Sequence, residues 1–191
     1  MKGTYKKHNL IWLVPVLIFA VCFTGCISIL HVQYRRSKNM LETRAELNAV
    51  IYADTVYEQI NVGVQATVAL EQVLLNDGEI SDFDLLAKNL MQNSFSSMQL
   101  APGGVVTKIY PLEGNEDGFI DLINDEVRRP YAEYAIQHDK VVIQGPLDLK
   151  QGGKGIAVRN PVFVTDESGE RTFWGFTICI IKVPDKSGYS R

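Results

Sequence analysis

The sequence predicts an α+β fold, in which an N-terminal transmembrane helix and a long stalk helix lead into an antiparallel sheet core with flanking helices. Three observations indicate this class. Residues 10–30 carry no charge, residues 37–75 repeat apolar side chains at spacings of three and four, and residues 105–183 alternate β-rich runs with Gly and Pro turns. Strands that alternate with helices and end in a hairpin are typical of an antiparallel α+β sheet.

Length and composition bound the class of protein. The chain has 191 residues, enough for one domain plus accessory segments. Its net charge of −3 and pI of about 5.6 do not favour a nucleic-acid partner. The three cysteines, Cys22, Cys26 and Cys179, are too few and too scattered for a disulfide framework.

Residues 10–30 form the predicted transmembrane helix, after a cytoplasmic tail of residues 1–9. At about 1.5 Å per residue, a helix of this length crosses roughly 30 Å of hydrocarbon. Pro15 is tolerated inside a membrane helix, and Trp12 suits an interface.

Two alternatives compete with this uncleaved anchor. A cleaved signal peptide needs a shorter apolar region. The letters FTGC at residues 23–26 loosely resemble a bacterial lipoprotein box, which would make Cys26 a lipidated first residue. Because the apolar run continues past Cys26 to bilayer length, the sequence favours the anchor.

The orientation of the anchor is less constrained by charge. Basic residues flank both ends of the span, so the positive-inside rule does not decide by itself. A very short N-terminal tail is easily kept inside while a folded domain is exported. The prediction is a single-pass inner (plasma) membrane protein with its C-terminal domain extracytoplasmic.

Residues 31–75 form the predicted stalk helix. Residues 37–75 contain no proline and a single glycine, Gly63. A helix of this length is best explained if its apolar stripe packs on its own domain, a second chain or both. The stalk is therefore a candidate homodimer interface, although its heptads are not strict.

The sensory core is predicted over residues 76–183, before a tail of residues 184–191. A helix over residues 82–92 has Ser81 as its N-cap. Residues 93–99 are interpreted as a polar connection, and residues 105–110 as the first central strand. The remaining predicted elements are a helical turn over residues 117–123, a helix over 125–138, strands over 141–144, 156–164 and 171–183, and a hairpin loop over 166–170. Gly145 and Pro146 are expected to end the first of these strands, and Pro161 to break the second.

Several motifs in this order resemble the CHASE domain, over about residues 41–183. CHASE domains are extracytoplasmic sensors of bacterial diguanylate cyclases and histidine kinases and of plant cytokinin receptors. The resemblance implies a long stalk helix followed by a PAS-like core that holds its ligand in a pocket against the sheet. The motifs are LAPGGVV at 100–106, IYPLEGNE at 109–116, RR at 128–129, GP at 145–146, QGGKG at 151–155, RNPVF at 159–163 and FWGF at 173–176.

The resemblance also points to pocket residues. In plant cytokinin receptors an acidic side chain holds the purine and a threonine lines the pocket, and these positions fall near Arg128 and at Arg159 here. Arginine replaces the acidic residue and the threonine at these positions, and both differences argue against cytokinin as the ligand. An arginine that faces a pocket suits a carboxylate or phosphate instead, so a small anionic ligand is expected. Tyr110, Gln144 and Trp174 complete the candidate ligand-binding residues.

Each candidate also has a purely structural interpretation. Arg159 would be a solvent-facing or salt-bridged strand residue, and Arg128 a partner of acidic neighbours such as Asp125. Tyr110 and Trp174 would pack in the core. The glycine-rich residues 151–155 lack phosphate-loop spacing and are interpreted as a turn.

No catalytic, metal or cofactor site is expected. The histidines His8, His31 and His138 do not predict one common site, and the chain has no G-x-S-x-G or H-E-x-x-H motif. Only a short tail follows residue 183, so the expected function is the ligand-sensing input of a signal-transduction receptor whose cytoplasmic effector is missing from this chain. The alternative is a surface-anchored module that binds a solute or a protein without signalling.

Overall fold

The computed structural model describes residues 4–116, 119–149 and 153–183. The predicted C-terminal tail, and parts of the predicted helical turn at 117–123 and of the glycine-rich turn, lie outside these residues. The chain divides into two compact units, residues 1–51 and 52–191. In order, the elements are α1 (Thr4–Asp77), α2 (Phe83–Leu90), β1 (Phe95–Pro102), β2 (Lys108–Tyr110), α3 (Arg129–His138), β3 (Val142–Asp148), β4 (Lys154–Thr165) and β5 (Arg171–Lys182).

Helix α1 covers the predicted transmembrane and stalk segments without a break. It ends at a glycine, as the sequence indicates, because Gly78 adopts φ +76° and donates its N–H to the Leu74 carbonyl at 2.9 Å. In the first unit, the side chains of residues 15–51 are all exposed. By length and composition, the apolar part of this helix near the N-terminus is sufficient to cross a membrane.

The two short helices begin later than predicted. Asp82, rather than Ser81, caps α2, and its carboxylate accepts the Leu85 N–H at 3.1 Å. Helix α3 begins at Arg129 instead of residue 125 because the Asp125 side chain accepts the N–H groups of Val127 and Arg128 and holds that segment in a turn.

The five strands form one antiparallel sheet with the order β2-β1-β5-β4-β3. This confirms the predicted α+β class. Two predicted interruptions are wrong. Strand β4 runs through Pro161, and β3 runs through Gly145 and Pro146 with a shift of register between Gln144 and Leu147.

The first central strand also differs from the prediction. Strand β2, which lies inside the predicted strand over 105–110, has three residues and lies at an edge of the sheet. The strand that pairs with both β2 and β5 is β1, and its first five residues, 95–99, were interpreted as part of a polar connection. The polar side chains of β1 are buried, with Ser97 0% and Gln99 8% exposed. Because polar residues are typical of exposed connections, they do not predict this strand, which has a neighbouring strand on each side and is buried.

The two faces of the sheet pack differently. The helix face carries Met98, Leu100, Val158 and Cys179 and packs against residues of α1 and α2 such as Leu70. The opposite face, here called the cavity face, carries other apolar side chains that pack against α3 and the segment before it. These include Ala101, Val142, Phe176 and Ile178 of the sheet, Ala132 and Ala135 of α3, and Leu122.

Candidate functional site

A cavity of about 200 Å³ lies on the cavity face of the sheet. Strands β1, β4 and β5 supply its floor, and the segments before α3 and at the end of β3 supply its walls. It contains two of the candidate ligand-binding residues, Arg128 and Arg159. Its other lining residues include Ser97, Gln99, Asn115, Ile120, Leu122, Leu147, Asp148, Leu149, Ile178 and Ile180.

Arg159 lies at the centre of the site. It is in the middle of β4, paired with Val142 of β3 and Ile178 of β5, and it is 2% exposed. Its Nη1 donates to Gln144 Oε1 at 2.6 Å, while its Nε has no hydrogen-bond partner. Within the described residues no carboxylate lies at ion-pair distance from this guanidinium. The prediction of a solvent-facing or salt-bridged strand residue is therefore wrong.

Burial makes this charge costly. Desolvation, and secondarily the charge of Arg128, lowers the pKa of Arg159 from its ordinary value to about 10. The guanidinium still carries its proton at neutral pH. Holding it charged in the ligand-free fold costs on the order of 3 kcal/mol.

Gln144 fixes the orientation of this guanidinium. It is 4% exposed, and its Oε1 accepts from Arg159 while its Nε2 donates to the Val127 carbonyl at 3.4 Å. Because Nη1 is engaged by Gln144, the buried Nε–H is left as a donor without a partner in the described part of the chain. Gln144 itself supports the arginine from β3 and does not line the cavity.

The second arginine has its own partner. The Nη1 of Arg128 contacts Asp125 Oδ2 at 2.8 Å, and both side chains are about a quarter exposed. Desolvation acts to raise the pKa of Asp125, but the backbone N–H and the charge of Arg128 outweigh it and hold that pKa below its usual value. Arg128 is thus a compensated charge at the cavity wall, whereas Arg159 is uncompensated.

The polar side chains of β1 complete one wall. Gln99 Nε2 donates to Ser97 Oγ at 3.0 Å, and both side chains are buried. Asn115 approaches from the loop after β2, where its Nδ2 donates to the Pro111 carbonyl at 2.9 Å. These three residues were missed by sequence reasoning. The signal that indicates two of them is the alternation of Ser97 and Gln99 with the apolar Met98 and Leu100.

The rest of the lining is mainly apolar. Ile178 and Ile180 of β5 lie below the cavity, and Leu122 and Ile120 lie beside it. The carboxylate of the lining residue Asp148 is already paired with Lys154 at 2.5 Å. The cavity therefore contains one buried cation, Arg159, beside walls formed mainly by apolar side chains.

Two candidate residues lie elsewhere. Tyr110 packs against the core on the helix face, and Trp174 does the same and lines a separate cavity of about 150 Å³ there. Phe173 packs on the cavity face, so the adjacent aromatic pair in β5 is divided between the two faces, as alternation predicts. The structure does not bring Tyr110 or Trp174 to Arg159.

Comparisons with known proteins agree with this architecture. A solved structure described as an extracellular ligand binding receptor from Desulfohalobium retbaense DSM5692 resembles the fold with a TM-score of 0.54 and 15% sequence identity. The alignment covers 73% of this chain and 25% of that chain, so this chain spans about a quarter of that protein's structure. The search of curated proteins found no match.

The family comparison is more specific. The model of the CHASE domain matches residues 52–187, which is most of the chain and includes the whole sheet and the cavity. The family is one of sensor domains rather than of catalytic domains. This chain belongs to the CHASE domain family, and it is an extracytoplasmic ligand-sensing input domain of a receptor.

Proposed function

We propose that this domain senses a small organic anion, bound by Arg159 in the cavity against the sheet. The observation that carries the proposal is a buried guanidinium, 2% exposed, on a residue that lines the cavity and whose Nε has no hydrogen-bond partner in the described part of the chain. A buried charge is normally paired. An anionic ligand would supply the missing partner through a bidentate hydrogen-bonded pair.

The cavity also limits the size and shape of the ligand. Its volume of about 200 Å³ is smaller than the roughly 300–1,000 Å³ of sites for drug-sized molecules. Ile178, Ile180 and Leu122 give it apolar walls. A carboxylate with a short apolar body therefore fits the lining better than a purine or a highly charged phosphate ester.

The position of the domain follows from the N-terminal helix. Residues 10–30 would act as a single-pass anchor, with residues 1–9 cytoplasmic and residues 31–75 as a stalk below the sensory core over residues 76–183. In this arrangement the ligand is taken from outside the inner (plasma) membrane. A protease-accessibility assay on sealed spheroplasts tests it, since cleavage of the C-terminal domain from outside is the expected result.

A homodimer through the stalk is the second part of the arrangement. Met40 and Leu47 are seven residues apart, and Val50 and Ile51 follow on the same helix, and all four side chains are exposed. A second copy would cover this stripe. Disulfide crosslinking of a Leu47→Cys variant should give dimers, whereas an Ala45→Cys variant on the opposite side of the helix should crosslink far less.

Calorimetric titration tests the anion proposal. Benzoate and butyrate are titrated into the full chain in nanodiscs, with benzamide and butyramide as neutral analogues of nearly the same size. Binding of the carboxylates and not of the amides is expected. Replacement of Arg159 by Met should weaken carboxylate binding roughly 10- to 100-fold, since a hydrogen bond to a charged group contributes about 1.5–3 kcal/mol.

The matched control is Arg171→Met. Arg171 lies on β5 of the same sheet, is exposed, and contacts Asp139 instead of the cavity. It should leave carboxylate affinity unchanged. Equal binding of carboxylate and amide, or equal loss in both variants, would overturn the anion assignment.

A further inference from the structure

A buried polar cluster joins the sheet to helix α1 directly behind the cavity. Asn160 follows Arg159 in β4 and, by alternation, points to the helix face. Its Nδ2 donates to Glu71 Oε2 of α1 at 2.8 Å. Thr177 of β5 donates its Oγ1 to the Thr67 carbonyl of α1 at 2.9 Å.

These contacts are unusual for their surroundings. Asn160 is 6% exposed, and Thr177 and Thr67 are 0% exposed. The neighbours on the same face, such as Val158 and Cys179, are apolar. Buried polar groups contribute little net stability, but they fix one relative position of the elements they join because the alternative leaves them unpaired.

The cluster shares its strands with the cavity. Arg159 is the residue immediately before Asn160, and the cavity residue Ile178 immediately follows Thr177. Asn160 and Thr177 are also cross-strand partners, with Asn160 Nδ2 at 3.5 Å from Thr177 Oγ1. A movement of β4 or β5 that accommodates a ligand on one face must displace these groups on the other.

Close packing makes such a displacement consequential for the helix. Gly63 of α1 approaches the sheet so closely that a Cβ built there would lie 2.7 Å from Ile181 Cδ1 and 3.5 Å from Val158 Cγ2. Packed contacts of this kind change between discrete arrangements instead of deforming continuously.

We propose that Asn160 and Thr177 form a latch, through which occupation of the Arg159 cavity changes the position of α1 at Thr67 and Glu71. The inference rests on the proposed function for the identity of the ligand, but not for the coupling itself. Coupling between two sites is reciprocal, so loss of the latch must change ligand affinity from the opposite face of the sheet.

The test uses the full chain in nanodiscs with benzoate as the probe. Asn160→Ala removes the hydrogen bond to Glu71 and Thr177→Val removes the one to Thr67, and each also removes the 3.5 Å contact between Asn160 and Thr177. Neither residue lines the cavity. Each should change benzoate affinity roughly fivefold or more, the lower range of typical coupling. Hydrogen–deuterium exchange over residues 64–74 should respond to benzoate in the wild type and not in these variants.

Cys179→Ala is the matched control, because Cys179 is fully buried on the same face of β5 and makes no polar contact with α1 among the described residues. It should keep wild-type affinity and the wild-type exchange response. Latch variants that behave like Cys179→Ala in both measurements would overturn the proposal.

A ligand-free arm separates the latch from the ligand assignment. Arg159→Met alters the cavity side of β4 and should change exchange over residues 64–74 across the sheet, but not when Asn160→Ala is also present. If benzoate fails to bind and this change occurs, the latch stands and the anion proposal fails. If Arg159→Met leaves exchange in α1 at the wild-type level, the latch is wrong whatever binds.

Discussion

The helix face and the cavity face of the sheet are built from the same strands but have different roles. The helix face packs α1 and α2 on a core that includes Leu70 and Met98, both 0% exposed. The cavity face leaves about 200 Å³ open beside Arg159. The helix face is closely packed, whereas the cavity face holds a buried charge that has no ionic partner among the described residues. A ligand-sensing domain needs both faces, since the well-packed helix face compensates for the stability that the cavity face lacks.

Leu70→Ala tests the helix face and should have the largest effect on the free energy of unfolding. Leu70 is fully buried between α1 and the sheet. Truncation leaves a cavity that the packed surroundings cannot fill, so the free energy of unfolding should fall by about 2–5 kcal/mol. Urea denaturation of the full chain measures it. A loss no greater than that of a surface substitution would mean that α1 does not form part of the core.

Arg159→Met tests the cavity face and should raise the free energy of unfolding, whereas Leu70→Ala lowers it. Methionine removes a buried charge that has no ionic partner within the described residues, while keeping an apolar side chain of similar length. Without ligand, the variant should be more stable than the wild type by roughly 1–3 kcal/mol. Urea denaturation in a buffer without organic anions checks this. A destabilised variant would indicate that the charge is satisfied in the ligand-free protein.

The pH dependence of that difference sharpens the comparison. Burial lowers the pKa of Arg159 to about 10 in the folded protein, well below its ordinary value, which the unfolded chain retains. The unfolded state therefore binds more protons between these values, and wild-type stability rises with pH there. The advantage of Arg159→Met should be constant from neutral pH to about 10 and should shrink above it. Arg159→Met serves as the reference that cancels the titration of all other groups.

Ile180→Ala tests how tightly the apolar wall defines the ligand. Ile180 is half-buried and borders the cavity, so truncation enlarges an existing space and should cost only about 1 kcal/mol of stability. The larger cavity should shift preference toward carboxylates with longer apolar bodies, measured as the ratio of benzoate to butyrate affinity. An unchanged ratio would place the ligand body away from β5.

Arg171→Met should have the smallest effect. Arg171 is about half exposed, contacts Asp139 at 2.7 Å and lies over the Phe163 ring. Exposed ion pairs contribute about 0–1 kcal/mol, so the thermal midpoint should change little. A large loss would show that the far end of β5 contributes more to the core than its exposure indicates.

The sequence was informative where local chemistry and packing agree. The end of α1 at Gly78, the hairpin between β4 and β5, and the opposite faces of Phe173 and Trp174 all follow from turn residues and alternation. The family motifs supported the class of domain. None of these features requires knowledge of distant contacts.

The sequence was least informative at the cavity, where polar residues replace the apolar residues that are expected in a buried strand. The polar residues Ser97 and Gln99 favour a connection over residues 93–99, where the structure has the first part of β1, and both residues line the cavity. The partner of Arg159 was also not predictable, since Gln144 reaches it only through the pairing of β3 with β4. Tyr110 and Trp174 were plausible as aromatic pocket residues, and only the register of β2 and β5 places them on the helix face.

The claim that the cavity face is completed by an anion is tested most directly by thermal unfolding of the wild type and Arg159→Met with benzoate or benzamide. Benzoate at 100 times its Kd should stabilise the wild type by about 2.7 kcal/mol, while benzamide should not. Arg159→Met should start higher and respond to neither. If benzoate and benzamide shift the wild type equally, or if benzoate shifts Arg159→Met as much as the wild type, the buried arginine is not the anion site.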